Sequence, residues 1–306
     1  MNKTQLANNE DNGMSITAAQ VKELRDMTSA GMMDCKKALT ETQGDMDAAV
    51  QWLREHGLAK AGKKSDRITA EGCVVIASSS DGKKSAMVEI NSETDFVSRH
   101  EDFMNFANAV ADIALKHQTQ DVESLLKLPF DNLSKTVDEV RAELIAKIGE
   151  NIQVRRVVLK NSEGIVGGYV HNGRIGVLVD MKPANLELAR DIAMHIAAFN
   201  PQAVRPEDVS LELVEKEKEI FRAQATESGK PAEIVEKMIG GRINKFLNEV
   251  SLYGQLFAKD QEKTVAQILK AHGVNVDSFL RFEVGEGIEK KVENFADEVR
   301  AQLKGN

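Results

Sequence analysis

Apolar residues recur along this chain at two spacings, and the switches between them divide it into segments. Between Thr17 and Gly57 the spacing is helical. Thr17 stands where a cap belongs, with Val21, Leu24 and Met27 on one face behind it. Ser29-Ala30-Gly31 breaks that run, and Met32–Thr40 predicts a second helix. Gly44-Asp45 opens a third with Met46, Ala49, Val50, Trp52 and Leu53, stopped by Gly57. The result is a three-helix bundle over residues 14–58, small for a folding unit at about 40 residues. Residues 59–67 carry Lys60, Lys63, Lys64 and Arg67 with almost nothing large and apolar, the composition of a linker. Residues 1–13 are polar and aperiodic. They read as a disordered extension, or a misassigned start before Met14, and not as a signal peptide.

Past the linker the spacing alternates, and a pattern occurs twice. The first copy runs Glu71-Gly72, a strand (Cys73–Ala77), a turn at Asp81-Gly82, a returning strand (Ser85–Ile90), a loop and a helix (Asp102–Lys116). The second runs Glu163-Gly164, a strand (Ile165–Val170), a turn at Asn172-Gly173, a returning strand (Ile175–Met181), a loop and a helix (Leu186–Phe199). Asp-Gly and Asn-Gly between alternating runs are hairpin signals, because their turns match strand twist. A hairpin cannot bury one face alone, so each helix is expected to cover its own sheet. A helix (Val137–Gly149) and a strand (Ile152–Leu159) lie between the copies. The fold class is α+β, with a core of two related α/β subdomains: residues 68–160, and residues 161–207 with 254–285.

From Pro206 to Tyr253 the spacing is helical again. Leu213/Val214, Ile220/Phe221 and Ala225 are followed by Val235, Ile239, Phe246 and Val250, with a break at Glu227–Pro231. This predicts a protruding antiparallel helical hairpin or coiled coil over residues 208–253, too irregular to imply an oligomer. A helix (Thr264–His272), a strand returning to the second lobe (Ser278–Val284) and a terminal amphipathic helix (Lys290–Leu303) complete the chain. The last belongs to a C-terminal module over residues 286–306.

Composition narrows the function classes. The 306 residues carry a net charge of −8, against a duplex nucleic-acid binder, which needs a basic face. No apolar run approaches the roughly 18 residues of a membrane span. Cys35 and Cys73 alone make no disulfide framework and suit a reducing cytoplasm.

Chemistry for an enzyme is missing. Gly82-Lys83-Lys84-Ser85 lacks the upstream glycine of a phosphate loop, and Gly285-Glu286-Gly287 lacks the third glycine of a dinucleotide fingerprint. No zinc-ligand spacing occurs, so neither metal nor cofactor is expected. His195 lies on a helix face near Ile192 and Phe199, where a satisfied or partly exposed structural histidine is the ordinary reading. Cys35 has Lys36 and Lys37 beside it, which would lower its pKa, but no matched base.

One stretch stands apart: Asn91-Ser92-Glu93-Thr94-Asp95-Phe96-Val97, between the first returning strand and its helix. Phe96 is either a core residue with Asp95 capping the helix, or an aromatic wedge offered to a partner beside a carboxylate.

These features together resemble the bacterial elongation factor Ts family. The matching residues are Val21–Arg25, Gly31–Leu39, Thr94-Asp95-Phe96-Val97, Lys147–Ile152, Arg174–Val179, Ile192–His195 and Arg281–Lys290, in the family's order. The extension before Met14 departs from the pattern, and Thr119–Lys135 is weakly determined by it. The resemblance implies a ubiquitin-associated-type (UBA-like) N-terminal domain and a guanine-nucleotide exchange factor for elongation factor Tu, without chemistry of its own. It implies that Thr94, Asp95, Phe96 and Val97 dislodge Mg²⁺ from Tu, with Phe96 as the wedge. Arg25, Met32, Met33, Ile175, Gly176 and His195 would be further contacts, Met32 and Met33 having simple packing as their alternative. A cytoplasmic protein touching neither nucleic acid nor membrane is implied, and a homodimer or a 2:2 complex with Tu is compatible with it.

Overall fold

The computed structural model describes residues 16–28, 30–130, 134–226 and 231–289. The expected extension over residues 1–13, the hairpin tip at Glu227–Lys230 and the terminal helix Lys290–Leu303 lie outside the described residues. The chain divides into two compact units, residues 1–67 with 138–152, and residues 68–137 with 153–306.

The first unit holds α1 (Ala18–Thr28), α2 (Met32–Glu41), α3 (Met46–Gly62) and most of a helix from the later segment, Val137–Ile148. Thr17 and Gln20 cap α1 reciprocally: Gln20 N donates to Thr17 Oγ1 at 3.3 Å and Thr17 N donates to Gln20 Oε1 at 3.0 Å. Asp45 caps α3, its Oδ1 accepting from Ala48 N at 2.9 Å. Val21, Leu24, Cys35, Ala38, Leu39 and Ala49 form the core.

Three expectations change here. Met27 is exposed and does not share the buried face of Val21 and Leu24. The third helix does not stop at Gly57. It continues to Gly62, where the turn of Lys63 and Lys64 closes it, so residues 59–62 of the expected linker are helical. A glycine costs a helix only about 1 kcal/mol, which the flanking leucine, alanines and lysines offset. The segment 138–152 groups with these helices. Arg54 pairs with Glu139, Lys64 Nζ donates to Gly149 O at 2.7 Å, and Asn151 Nδ2 donates to Arg67 O at 3.0 Å.

In the second unit β1 (Glu71–Ser78) and β2 (Lys84–Ser92) form the first hairpin, followed by α4 (Glu101–His117) and α5 (Val122–Lys127); the helix Val137–Ile148 of the first unit is α6. Then come β3 (Ile152–Asn161), β4 (Ile165–His171), β5 (Ile175–Lys182) and α7 (Leu186–Phe199). The helical hairpin is α8 (Leu211–Thr226) and α9 (Ala232–Val250). A small hairpin of β6 (Leu256–Phe257) and β7 (Asp260–Thr264), α10 (Val265–Ala271) and β8 (Asn275–Glu283) close the described chain. α5 and the β6–β7 hairpin have no counterpart in the sequence reading.

The repeat is visible in the sheets. One is ordered β1-β2-β3 and the other β4-β5-β8, so each returning strand is central. Each sheet has its own helix, α4 on β1 and β2, α7 on β4 and β5, and the opposite faces meet through Val74, Met87, Val166 and Leu178. The hairpin turns exchange equivalent hydrogen bonds: Val74 N donates to Gly173 O, and Val166 N to Gly82 O, both at 2.8 Å. That reciprocity is a pseudo-twofold relation between lobes. The turns themselves differ. Asn172 and Gly173 both have positive φ, as a tight primed turn needs, whereas Asp81-Gly82 sits in a five-residue loop over residues 79–83.

Between α8 and α9 the buried residues are Ala225, Val235, Ile239 and Ile243. Ile243 takes the place that the sequence reading gave to Phe246, which is partly exposed.

Candidate partner-binding site

β2 ends at Ser92 and α4 begins at Glu101, and the connecting loop is tied down from within. Ser92 Oγ donates to Thr94 O at 2.9 Å, and Ser98 Oγ donates to Asp95 O at 2.8 Å. Val97–Arg99 form a 3₁₀ turn, in which Val97 is buried and acts as the apolar anchor. Phe96 precedes the turn with helical dihedrals (φ −64°, ψ −44°), and its side chain is 83 % exposed, more than any other large apolar side chain among the described residues.

Of the two readings of Phe96, the core one therefore falls. So does its corollary, because Asp95 does not cap α4. His100 does, its Nδ1 accepting from Asp102 N at 3.3 Å. Asp95 instead lies 3.3 Å from Arg99 Nη2 in an exposed i,i+4 pair, worth little to stability. Both side chains remain accessible to a partner.

The loop borders an open groove of about 630 Å³. Asp95 and Phe96 line one side, Cys73 and Met104 also face it, and Asn172, Gly173 and Arg174 of the second lobe's turn line the other. Arg174 Nη1 meets Glu71 Oε2 at 2.6 Å there. The pseudo-twofold contact thus brings the first lobe's loop and the second lobe's turn into one surface. An aromatic ring on a fixed loop beside mixed charges suits protein recognition. Among the described residues no cluster of three metal-ligating side chains occurs.

The other sequence-derived residues scatter. Arg25, Met32 and Met33 are exposed on the helical unit, Met33 at 75 %, against the packing alternative. Ile175 is partly buried at the start of β5 and packs on the second lobe's core. Gly176 and His195 are not surface residues. A Cβ at Gly176 would stand 2.4 Å from Val74 Cγ1 and 2.8 Å from Met87 Sδ, so this glycine lets the two sheets touch.

His195 is fully buried. Its Nδ1 accepts from Ala258 N at 3.2 Å, which leaves Nε2 to donate to Gln255 Oε1 at 2.9 Å. The ring stacks on Phe199. Burial pushes its pKa down, with the Gln255 bond opposing. It is the satisfied structural histidine of the residue-level reading, pinning the β6–β7 hairpin to α7.

Both thiols are buried. Burial, assisted by the Asp34 charge, raises the Cys35 pKa against the opposing Thr28 hydrogen bond and Arg25 charge. Burial and then the Glu89 charge push Cys73 up to about 12.

Sequence reasoning missed a buried carboxylate behind the groove. Glu89 of β2 is paired with Arg155 Nη1 at 3.0 Å and with Arg156 Nε, and accepts from Gly285 N at 2.9 Å. Burial alone would raise its pKa. The Gly285 amide, then Arg156 and Arg155, outweigh burial and hold the carboxyl below the usual range. The available signal was a glutamate on the same strand face as Met87, where an apolar residue belongs.

Comparison with known proteins bears on the whole chain. A family model described as Elongation factor TS matches residues 93–286. The elongation factor Ts of Coxiella burnetii (strain Dugway 5J108-111) is 56% identical over 293 residues, covering 95% of this chain and 99% of that protein. That of Thioalkalivibrio sulfidiphilus (strain HL-EbGR7) is 55% identical over 294 residues, covering 95% and 100%. That of Legionella pneumophila (strain Lens) is 53% identical over 290 residues, covering 95% and 99%. A family model over more than half of the chain, and relatives aligned over nearly all of their own length, have one meaning: the chain belongs to the elongation factor Ts family.

Proposed function

We propose that this protein is the guanine-nucleotide exchange factor of elongation factor Tu, acting in the cytoplasm by binding alone. The observation that carries this beyond family membership is Phe96, the most exposed large apolar side chain described, held on a loop with its own internal bonds. A solvated ring is unfavourable unless a partner buries it, and aromatic anchors dominate interface energies.

The mechanism follows from what GDP needs. Mg²⁺ in the GTPase demands near-octahedral oxygen coordination, so a small displacement of one ligating element is costly. Phe96 entering an apolar crevice beside that element displaces it, while the Asp95 carboxylate competes for the hydrogen bonds that held it. Loss of the ion leaves phosphate repulsion uncompensated, and GDP departs. Thr94 and Val97 hold the loop's shape, Val97 from inside the fold. Arg25, Met32 and Met33 supply a second contact from the helical unit. The factor prefers the nucleotide-free GTPase, and linkage requires that nucleotide weaken its binding by the same coupling energy, so GTP displaces it.

The test is release of a fluorescent GDP from the cognate Tu at fixed Mg²⁺. Substoichiometric acceleration supports the reading, and its absence with competent Tu overturns it.

A further inference from the structure

The Phe96 loop begins at Asn91, whose side chain is buried and makes an unusual choice. Its Nδ2 donates to Glu89 Oε1 at 3.1 Å and to Glu71 O at 3.0 Å. Both neighbours are acceptors, so the amide must turn its NH₂ towards them. Its Oδ1 then has no hydrogen-bond partner among the described residues. Leaving a buried carbonyl unpaired is unfavourable, and such a cost persists where the surrounding structure over-determines an orientation.

The Glu89 acceptor cannot swing away. The same Oε1 also takes Arg155 Nη1 and Gly285 N, and Oε2 takes Arg156 Nε. Those donors come from β3 and from the chain leaving β8. The approach of Gly285 is close enough that a Cβ there would stand 2.3 Å from Ala70 O. On the other side, Glu71 pairs with Arg174 in the groove. A chain of fixed contacts therefore runs from two arginines, through Glu89 and Asn91, to the strand end that launches residues 93–97.

We propose that Asn91 and Glu89 are positioning residues for exchange: their buried pair fixes the base of the loop so that the Phe96 ring reaches the partner already ordered. The proposal rests on the exchange reading above. Neither residue touches the partner. A ring presented on a fixed base costs less conformational entropy to insert than one on a loose loop, and misplacement lowers the rate of the assisted step more than it weakens encounter.

The experiment titrates the full chain against Tu carrying fluorescent GDP and reads maximal release rate and half-saturating concentration separately. Asn91→Asp puts a second carboxylate against Glu89 without changing size. It is expected to lower the maximal rate roughly tenfold while leaving half-saturation within about threefold. Hydrogen exchange of amides 94–97 in the isolated variant is expected to speed up, with the thermal transition retained. An unchanged maximal rate in Asn91→Asp overturns the proposal. So does a loss that follows only the fraction unfolded. If the wild-type chain fails to accelerate release, the exchange reading fails. The exchange of amides 94–97 then decides by itself whether the pair orders the loop, and unchanged protection in Asn91→Asp overturns that as well.

Discussion

In the first lobe eight residues, 93–100, separate β2 from α4, whereas three residues, 183–185, separate β5 from α7. Both links join a central strand to the helix that covers its sheet. The short one leaves the chain no choice but to enter the helix, with Asn185 capping it through Leu188 N at 3.1 Å. The long one forms a 3₁₀ turn, buries Val97 and leaves Phe96 in solvent. The lobes thus place their distinctive side chains on opposite sides of the surface. The first exposes an aromatic ring, and the second buries an imidazole, His195, inside its core. The two scaffolds are alike in plan, and a difference of five residues in one link separates an exposed aromatic ring from a buried imidazole.

Substitutions at the paired positions sharpen that contrast. Phe96→Ala is expected to lower stimulated GDP release by about a hundredfold, since an interface anchor is worth on the order of 2–3 kcal/mol. Its unfolding free energy should stay within about 0.5 kcal/mol, because the ring makes little contact in the free protein. Urea denaturation and GDP release measured together check both halves, and a large loss of stability would place the ring in the core after all. His195→Ala is expected to do the reverse. It should cost about 2 kcal/mol of stability, from the cavity and the unpaired Ala258 amide and Gln255 carbonyl. Any effect on release should follow from that, and a strong loss of exchange in a stably folded variant would restore it as a contact.

Gly176→Ala puts a methyl group against Val74 and Met87 between the sheets and should destabilise by about 1–2 kcal/mol. Gly173→Ala in the turn meets no neighbour, and only its positive φ opposes it. The difference between their melting temperatures isolates the inter-sheet contact from backbone strain.

The smallest effect is in pH. Folding holds His195 neutral, because protonated Nδ1 could no longer accept from Ala258 N. Its folded pKa lies below the ordinary 6.5, so this contribution to stability is complete above that pH. As pH falls from 6.5 towards the folded pKa, the unfolded chain binds a proton that the folded one refuses, and stability declines. The slope of unfolding free energy against pH over this window should be steeper for the wild type than for His195→Gln. Equal slopes would mean that the ring titrates as if solvated.

Much of the fold was legible because each lobe announces its hairpin locally. Alternating apolar residues around Asp81-Gly82 and Asn172-Gly173 led to β1, β2, β4 and β5, with no end displaced by more than two residues. Leu186–Phe199 was read with its observed bounds. The β6–β7 hairpin escaped because β7, Asp260–Thr264, is mostly polar and exposed, with no alternation to detect. Gly57 misled because a helix tolerates one glycine when its neighbours favour the helix. At the site, the heptapeptide could be singled out, yet its local sequence fits a buried Phe as well as an exposed one. The roles of Gly176 and Glu89 were invisible, since each depends on a residue from another strand: Val74 across the sheets, Arg155 and Arg156 from β3.

The sequence by itself determined the repeat, the two hairpins, the helices that cover them and the family, because these rest on short-range periodicity, turn chemistry and residue identity. Only the tertiary structure decided which side chains face out. Exposure of Phe96, burial of His195 and the anchoring of Asn91 depend on what packs behind each residue, and those neighbours lie as far as 196 residues away along the chain, as between Glu89 and Gly285.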